Sequence, residues 1–213
     1  KIGSDIRFLG VPKTIDNDLV LTDHTPGFGS AAKYVAAMVR QMVMDSEVYN
    51  TQSVTIIEIM GRAAGWLTAA SVLARRFEGD NPVLIYLPEI AFDIEAMLSR
   101  LQALLLVKKN IIICVSEGIH DAEGRLICEY EKEIGADVFG HKNLTGCGKV
   151  LENIIKDRLG IKVRSVELNI TQRCSATMAS LVAVDEADLC GQEGVRLALQ
   201  GKSGLMVSMR RSS

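Results

Sequence analysis

Short apolar runs alternate along the chain with longer stretches in which apolar residues return at helical spacing. Arg7–Val11 reads as a strand that runs into a polar loop, Pro12–Pro26. From Ser30 to Tyr49, Ala31, Val35, Met38 and Met42 recur near the period of an α-helix and predict a long one. Val54–Ile59 is β-branched and continuous, the pattern of a strand buried on both faces. Gly61 to Gly65 turns the chain into a helix over Trp66–Arg76. Pro82–Leu87 predicts another strand, Ile94–Val107 a helix and Ile111–Val115 a fully apolar strand. A polar loop follows around Gly118–Leu126. Beyond it, Gly148–Leu159 predicts a helix, Val163–Leu168 a strand, Asp185–Gln200 a helix and Leu205–Met209 a last short strand.

Strands alternating with helices of about ten or more residues pair in parallel through crossovers. The pattern therefore predicts an α/β fold of layered sheets with helices on both faces. No repeat, low-complexity segment or Pro/Ser-rich linker divides the chain.

The 213 residues correspond to one and a half domains at roughly 150 residues each. With 24 Lys+Arg against 26 Asp+Glu, the net charge of −2 offers no basic face for nucleic acid. A hydrophobic content of 48% at so low a charge excludes an acidic disordered tail. The longest apolar run, around Ile111–Val115, falls far short of the ~20 residues of a membrane span. Cys114, Cys128, Cys147, Cys174 and Cys190 are odd in number and lack CxxC spacing, and His24, His120 and His141 form no ligand cluster. Reduced, mostly buried thiols in a cytoplasmic protein are expected, rather than a disulfide framework or a zinc site.

Ligands of open α/β sheets bind outside the carboxyl ends of the strands, and three such loops are dense in polar groups. Pro12-Lys13-Thr14-Ile15-Asp16-Asn17-Asp18 sets two carboxylates beside a cation and a hydroxyl. That is the group set needed to deprotonate an alcohol near a phosphate. Glu58-Ile59-Met60-Gly61-Arg62 ends the most apolar strand, with Gly61 for close backbone approach and Arg62 as a planar donor fork for a phosphoryl group. Ser116-Glu117-Gly118 places a carboxylate where it can accept hydrogen bonds from sugar hydroxyls. Arg164 and Arg173, with Gln172 beside the second, stand at the two ends of the strand Val163–Leu168, where they could clamp a phosphate monoester or form surface ion pairs. Gly27-Phe28-Gly29-Ser30-Ala31-Ala32 matches a GxGxxA dinucleotide signature, but follows no apolar strand and reads as a helix start.

The loop Pro12–Leu19, then Met60-Gly61-Arg62, Glu117 in Ser-Glu-Gly, and Gln172-Arg173 resemble, in order and spacing, the 6-phosphofructokinase family. Thr22–Val35 is most similar to its pyrophosphate-dependent branch. The resemblance covers essentially the whole chain and implies a two-domain phosphofructokinase-type fold. Residues 1–27 would belong to a donor-binding domain and residues 28–171 to a sugar-phosphate domain. Residues 172–213 would return to the first. It implies transfer of a phosphoryl group to the C1 hydroxyl of fructose 6-phosphate, with Mg²⁺ as cofactor. Asp16 would be the general base, Thr14, Ile15 and Asp18 would hold the sugar and metal–phosphate region, and Met60 and Gly61 would line the sugar pocket. Arg62 would neutralise the transferring phosphoryl group, Glu117 bind sugar hydroxyls, Arg173 bind the 6-phosphate, and Arg164 reach that phosphate across a subunit interface of a homodimer or homotetramer. Lys13, where ATP users of the family commonly carry glycine, points to pyrophosphate as donor. The alternatives are an ATP-dependent 6-phosphofructokinase or a non-catalytic regulatory subunit of the same family.

Two positions depart from the family's bacterial ATP enzymes. Ser53 stands where an arginine of the neighbouring subunit is often found, and Ile170 where a histidine or tyrosine precedes Gln-Arg. Lys33 and Tyr34 are candidates to replace the cross-subunit contact. The family's Gly-Gly-Asp donor loops, with the main magnesium ligand, are not in this sequence, so the chain reads as a central fragment of a longer enzyme.

Overall fold

The structure is a computed structural model that describes residues 5–130 and 146–211. A four-stranded parallel sheet forms its centre, with strands β2 (Ser53–Ile59), β3 (Leu84–Tyr86), β4 (Asn110–Ser116) and β5 (Lys162–Glu167) in the order β3-β4-β2-β5. A separate two-stranded parallel sheet pairs β1 (Leu9–Gly10) with β6 (Leu205–Met206).

Apolar residues point to both faces of β2 and β4, so each face collects its own core. On one face, Val54, Ile56, Ile111, Ile113 and Val115 pack with helices α3 (Ile94–Leu105) and α4 (Cys147–Leu159). On the other, Ile57, Ile59, Ile112 and Cys114 pack with Ala31, Val35, Val39 and Val43 of α1 (Phe28–Glu47) and with Leu67 of α2 (Trp66–Ala70). This is the α/β layering expected from the sequence, and burial on both sides is why β2 and β4 show no polar alternation.

Several boundaries differ from the sequence reading for local reasons. The expected strand at Pro82 begins only at Leu84, because Pro82 has no N–H and the buried Asn81 side chain satisfies the edge of β4 instead. Asn81 accepts from the Ile112 N–H (2.9 Å) and donates to the Asn110 carbonyl (2.9 Å). The expected helix Trp66–Arg76 is α2 followed by a 3₁₀ turn over Ser71–Ala74, where the Ser71 hydroxyl bonds back to the Thr68 carbonyl (2.6 Å). Helix α6 (Leu181–Leu199) starts four residues before Asp185, since Leu181, Val182 and Val184 face outward and add nothing to the buried stripe. Only Leu9–Gly10 and Leu205–Met206 of the two outer strands pair, and a short helix α5 (Thr171–Cys174) was not foreseen. Around the small sheet, the Gly204 N–H donates to the Phe8 carbonyl (2.8 Å), the Val207 N–H to that of Gly10 (3.0 Å) and the Asp23 N–H to that of Met209 (2.9 Å).

Glu152 on α4 ties that helix to β5. Its carboxylate accepts from the Ser165 N–H (2.8 Å) and hydroxyl (2.5 Å), from Lys149 Nζ (3.0 Å) and from Lys156 Nζ. Burial alone would raise its pKa, but these donors outweigh burial and bring it down to about 2. A carboxylate depressed in the folded state stabilises the fold above its ordinary pKa of 4.5 and loses that contribution as pH falls towards about 2. Glu152→Gln is expected to destabilise the full-length protein by about 1–3 kcal/mol at neutral pH. In urea unfolding, the gap to wild type should narrow as pH falls through that window; a pH-independent gap would refute the ionic role. Among the described residues no helix is long and apolar enough to cross a membrane, and the five cysteines are free, with Cys174 exposed.

Candidate active site

The first polar loop leaves β1, so it belongs to the small sheet, and it is carried to the carboxyl end of the large one by its own contacts. Thr14 bridges to Gly27 at the start of α1, and the buried Thr25 hydroxyl donates to the Thr14 carbonyl (2.7 Å). Gly27 has φ 102, a conformation that glycine adopts freely. Asn17 sits at φ 57, which asparagine tolerates, and the Asp16 N–H donates to Thr14 Oγ1 (3.0 Å). Ile15 turns inward onto the same apolar cluster as Met60, while Lys13 and Asp18 are exposed and Asp16 is half-buried. Burial raises the Asp16 carboxyl above its ordinary range; the neighbouring Asp18 adds to this and Lys13 opposes it.

The second and third loops form one bonded frame. Gly61 has φ 125, and a Cβ there would stand 2.4 Å from the Ala64 carbonyl oxygen, so a side chain is excluded. The buried Ser116 hydroxyl donates to the Gly61 carbonyl, and the Glu117 N–H donates to that of Ile59 (2.9 Å). Gly118 lies directly on the backbone of Arg62, where a Cβ would fall 1.8 Å from the Arg62 carbonyl oxygen. Arg62 is exposed and Glu117 half-buried.

Beyond β5, the Leu168 N–H continues the pairing onto the Glu58 carbonyl (3.0 Å), and the chain then turns into α5 with Arg173 exposed. A cleft of about 80 Å³ lies between Glu58, Met60, Glu117, Glu167, Asn169 and Gln172. Glu58 joins this cleft without a role in the sequence motifs, although a glutamate inside an apolar strand is a visible signal. Burial raises its pKa, opposed by the Gly148 N–H, which donates to it at the start of α4 (2.7 Å).

Met60, Gly61, Arg62 and Glu117 thus share one frame; Gln172 joins Arg173 to it, and Ile15 brings in the Asp16 loop. Arg164 is not part of this group. It is the third residue of β5 rather than at a strand end, and with Asp45, Ser53, Thr55 and Lys162 it lines a recess of about 20 Å³ near the end of α1. The Ser53 hydroxyl is engaged by Asn110 Oδ1 (2.9 Å), and Ile170 is 55% exposed. Lys33 is exposed, whereas Tyr34 packs against the α1-side core.

Among the described residues no group of three or more His, Cys, Asp or Glu side chains could hold a metal ion. Exposed Asp18 has the hard-oxygen chemistry for a contact to a hydrated Mg²⁺, which commonly keeps several waters and takes one or two carboxylates with substrate phosphates.

The Arg62 and Glu117 loops stand at the carboxyl ends of the large parallel sheet, where open α/β sheets hold their ligands, and Ile15 brings the Asp16 loop to the same apolar cluster. Comparison with known proteins specifies the site further. The chain belongs to the phosphofructokinase family, whose model (Phosphofructokinase) matches residues 1–183. It is 38% identical, over 100% of its length and 51% of the relative's, to a pyrophosphate–fructose 6-phosphate 1-phosphotransferase of Halomonas elongata. It is 35% identical, over 95% of its length and 56% of the relative's, to an ATP-dependent 6-phosphofructokinase 2 of Streptomyces coelicolor. A crystal structure of a pyrophosphate-dependent phosphofructokinase from Marinobacter aquaeolei superposes with a TM-score of 0.81 at 34% identity, covering 98% of this chain and 48% of that one. The chain therefore spans about half the length of the relatives it matches.

Proposed function

We propose that the longer protein containing this chain transfers a phosphoryl group from pyrophosphate to the C1 hydroxyl of fructose 6-phosphate. The products are fructose 1,6-bisphosphate and inorganic phosphate. The observation that carries this reading is the single hydrogen-bonded frame that joins the Arg62 loop to the Glu117 loop, with Ile15 of the Asp16 loop in the same apolar cluster as Met60 of that frame. Glu117 accepts hydrogen bonds from sugar hydroxyls, and Arg173 holds the 6-phosphate. Asp16, its basicity raised by burial, takes the C1 hydroxyl proton as that oxygen bonds to the terminal phosphorus and the bridging P–O bond breaks. Lys13 and Arg62 lie against the developing charge. Asp18 would contact a hydrated magnesium ion, which would supply charge neutralisation for the diphosphate. Residues 1–27 and 172–213 are assigned to the donor-binding domain and residues 28–171 to the sugar-phosphate domain. Arg164, remote from its own Arg173, serves the site of a second copy in a cytoplasmic homodimer or homotetramer.

A second reading, ATP as donor, is favoured by the Streptomyces relative. The full-length protein is expected to turn over fructose 6-phosphate with pyrophosphate and not with ATP. Lys13→Gly should weaken pyrophosphate use far more than sugar binding, because a point cation matters most for a donor with no adenosine contacts. Turnover with ATP alone would replace the donor, and no turnover with either would refute the reading.

A further inference from the structure

We propose that Gln172 is a positioning residue that fixes the separation between the two ends of the sugar-phosphate site. The inference rests on the reading above. Gln172 is 2% exposed and uses both ends of its amide. Its Oε1 accepts from the Met60 N–H (3.2 Å), on the loop that carries Arg62, and its Nε2 donates to the Asn169 carbonyl (3.1 Å), on the turn that carries Arg173. One partner needs an acceptor and the other a donor. Only an amide side chain of this reach meets both, since glutamate loses the donor and leucine loses both groups.

The Arg173 N–H donates to the Ile170 carbonyl (3.1 Å), and α5 lies against α1. Helix α5 is a single turn of four residues, too short to stand by itself. The turn before it contains Asn169 at φ 45, in the left-handed region that asparagine tolerates. The Asn169 carbonyl accepts from both the side chain and the main-chain N–H of Gln172 (3.3 Å), so the amide bridge and the turn are one device. Met60 itself is fixed through the Gly61–Ser116 and Ile59–Glu117 bonds. A change at Gln172 therefore moves Arg173 relative to Arg62 and Glu117 while leaving those two in register with each other. The ligand that senses this distance is a sugar phosphate gripped at both ends; a diphosphate donor does not.

The test uses the full-length protein, with Gln172→Leu and Gln172→Glu. Gln172→Leu is expected to lower kcat/KM for fructose 6-phosphate by about 10²-fold, the usual cost of a displacement near 1 Å. The loss should appear in KM for the sugar, with KM for pyrophosphate unchanged. Gln172→Glu should be intermediate, and it carries the test if the leucine variant does not fold. Combined with Arg173→Ala, either variant should cost no more than Arg173→Ala alone, because Gln172 acts through Arg173. A merely structural role would raise both KM values and give additive losses, and either result overturns the inference. Wild-type turnover with additive variants sinks this inference alone, whereas absent wild-type turnover sinks the functional reading and this inference with it.

Discussion

Asp16→Asn in the full-length protein should lower phosphoryl transfer by ~10²–10⁴ while fructose 6-phosphate still binds. Asparagine keeps the size and polarity of the side chain, and among the described residues the bonds that shape this loop do not involve the carboxylate. Thr14 is held by Thr25 and Gly27, and Asp16 contributes its main-chain N–H to Thr14 Oγ1. What the substitution removes is the ability to take a proton. The decisive comparison is single-turnover transfer against a direct sugar-binding measurement such as calorimetry. A variant that transfers phosphate at the wild-type rate would mean that another group takes the proton. Loss of sugar binding in parallel with turnover would mean that Asp16 holds substrate instead.

Gly118→Ala should be nearly as damaging, although glycine 118 has no functional group to lose. A methyl group there would stand 1.8 Å from the Arg62 carbonyl oxygen and 2.7 Å from its Cα. These are main-chain atoms, so no side-chain rotation relieves the contact, and one of the two loops must move. Ser116 and Glu117 are bonded to Gly61 and Ile59, hence the displacement is passed to Arg62. An error near 1 Å in a charge-stabilising group costs about 10²-fold in rate. The loss should fall on kcat, with the protein still folded by circular dichroism. A folded variant with unchanged kcat would show that Arg62 is not held by this contact.

Much of the fold was legible because its signals are local. The continuous apolar runs Val54–Ile59 and Ile111–Val115 each require burial on two faces, which only a sheet covered by helices on both sides provides. The chemistry-bearing loops were legible for a similar reason: Arg62 and Glu117 stand within three residues of the ends of β2 and β4, the Asp16 loop follows the short β1, and strand ends are where α/β proteins hold ligands. Three features were not legible. Arg164 looks like the partner of Arg173 across one strand, yet it lies within β5, because the strand begins at Lys162 through pairing with Ser53 of β2. Glu58 and Gln172 are polar residues whose partners, Gly148 and Met60, are 90 and 112 positions away.

By itself, then, the sequence determined the order and type of the main elements, their layering, and which loops carry acids and cations. These follow from hydrophobic periodicity and residue chemistry, which act over a few neighbouring positions. The tertiary structure alone decided that the loops after β2 and β4 are one frame, that Gly118 must be glycine, and that Gln172 ties Arg173 to Met60. Each of these depends on a main-chain N–H or carbonyl meeting a distant group at contact distance, and backbone atoms leave no trace in the order of side chains.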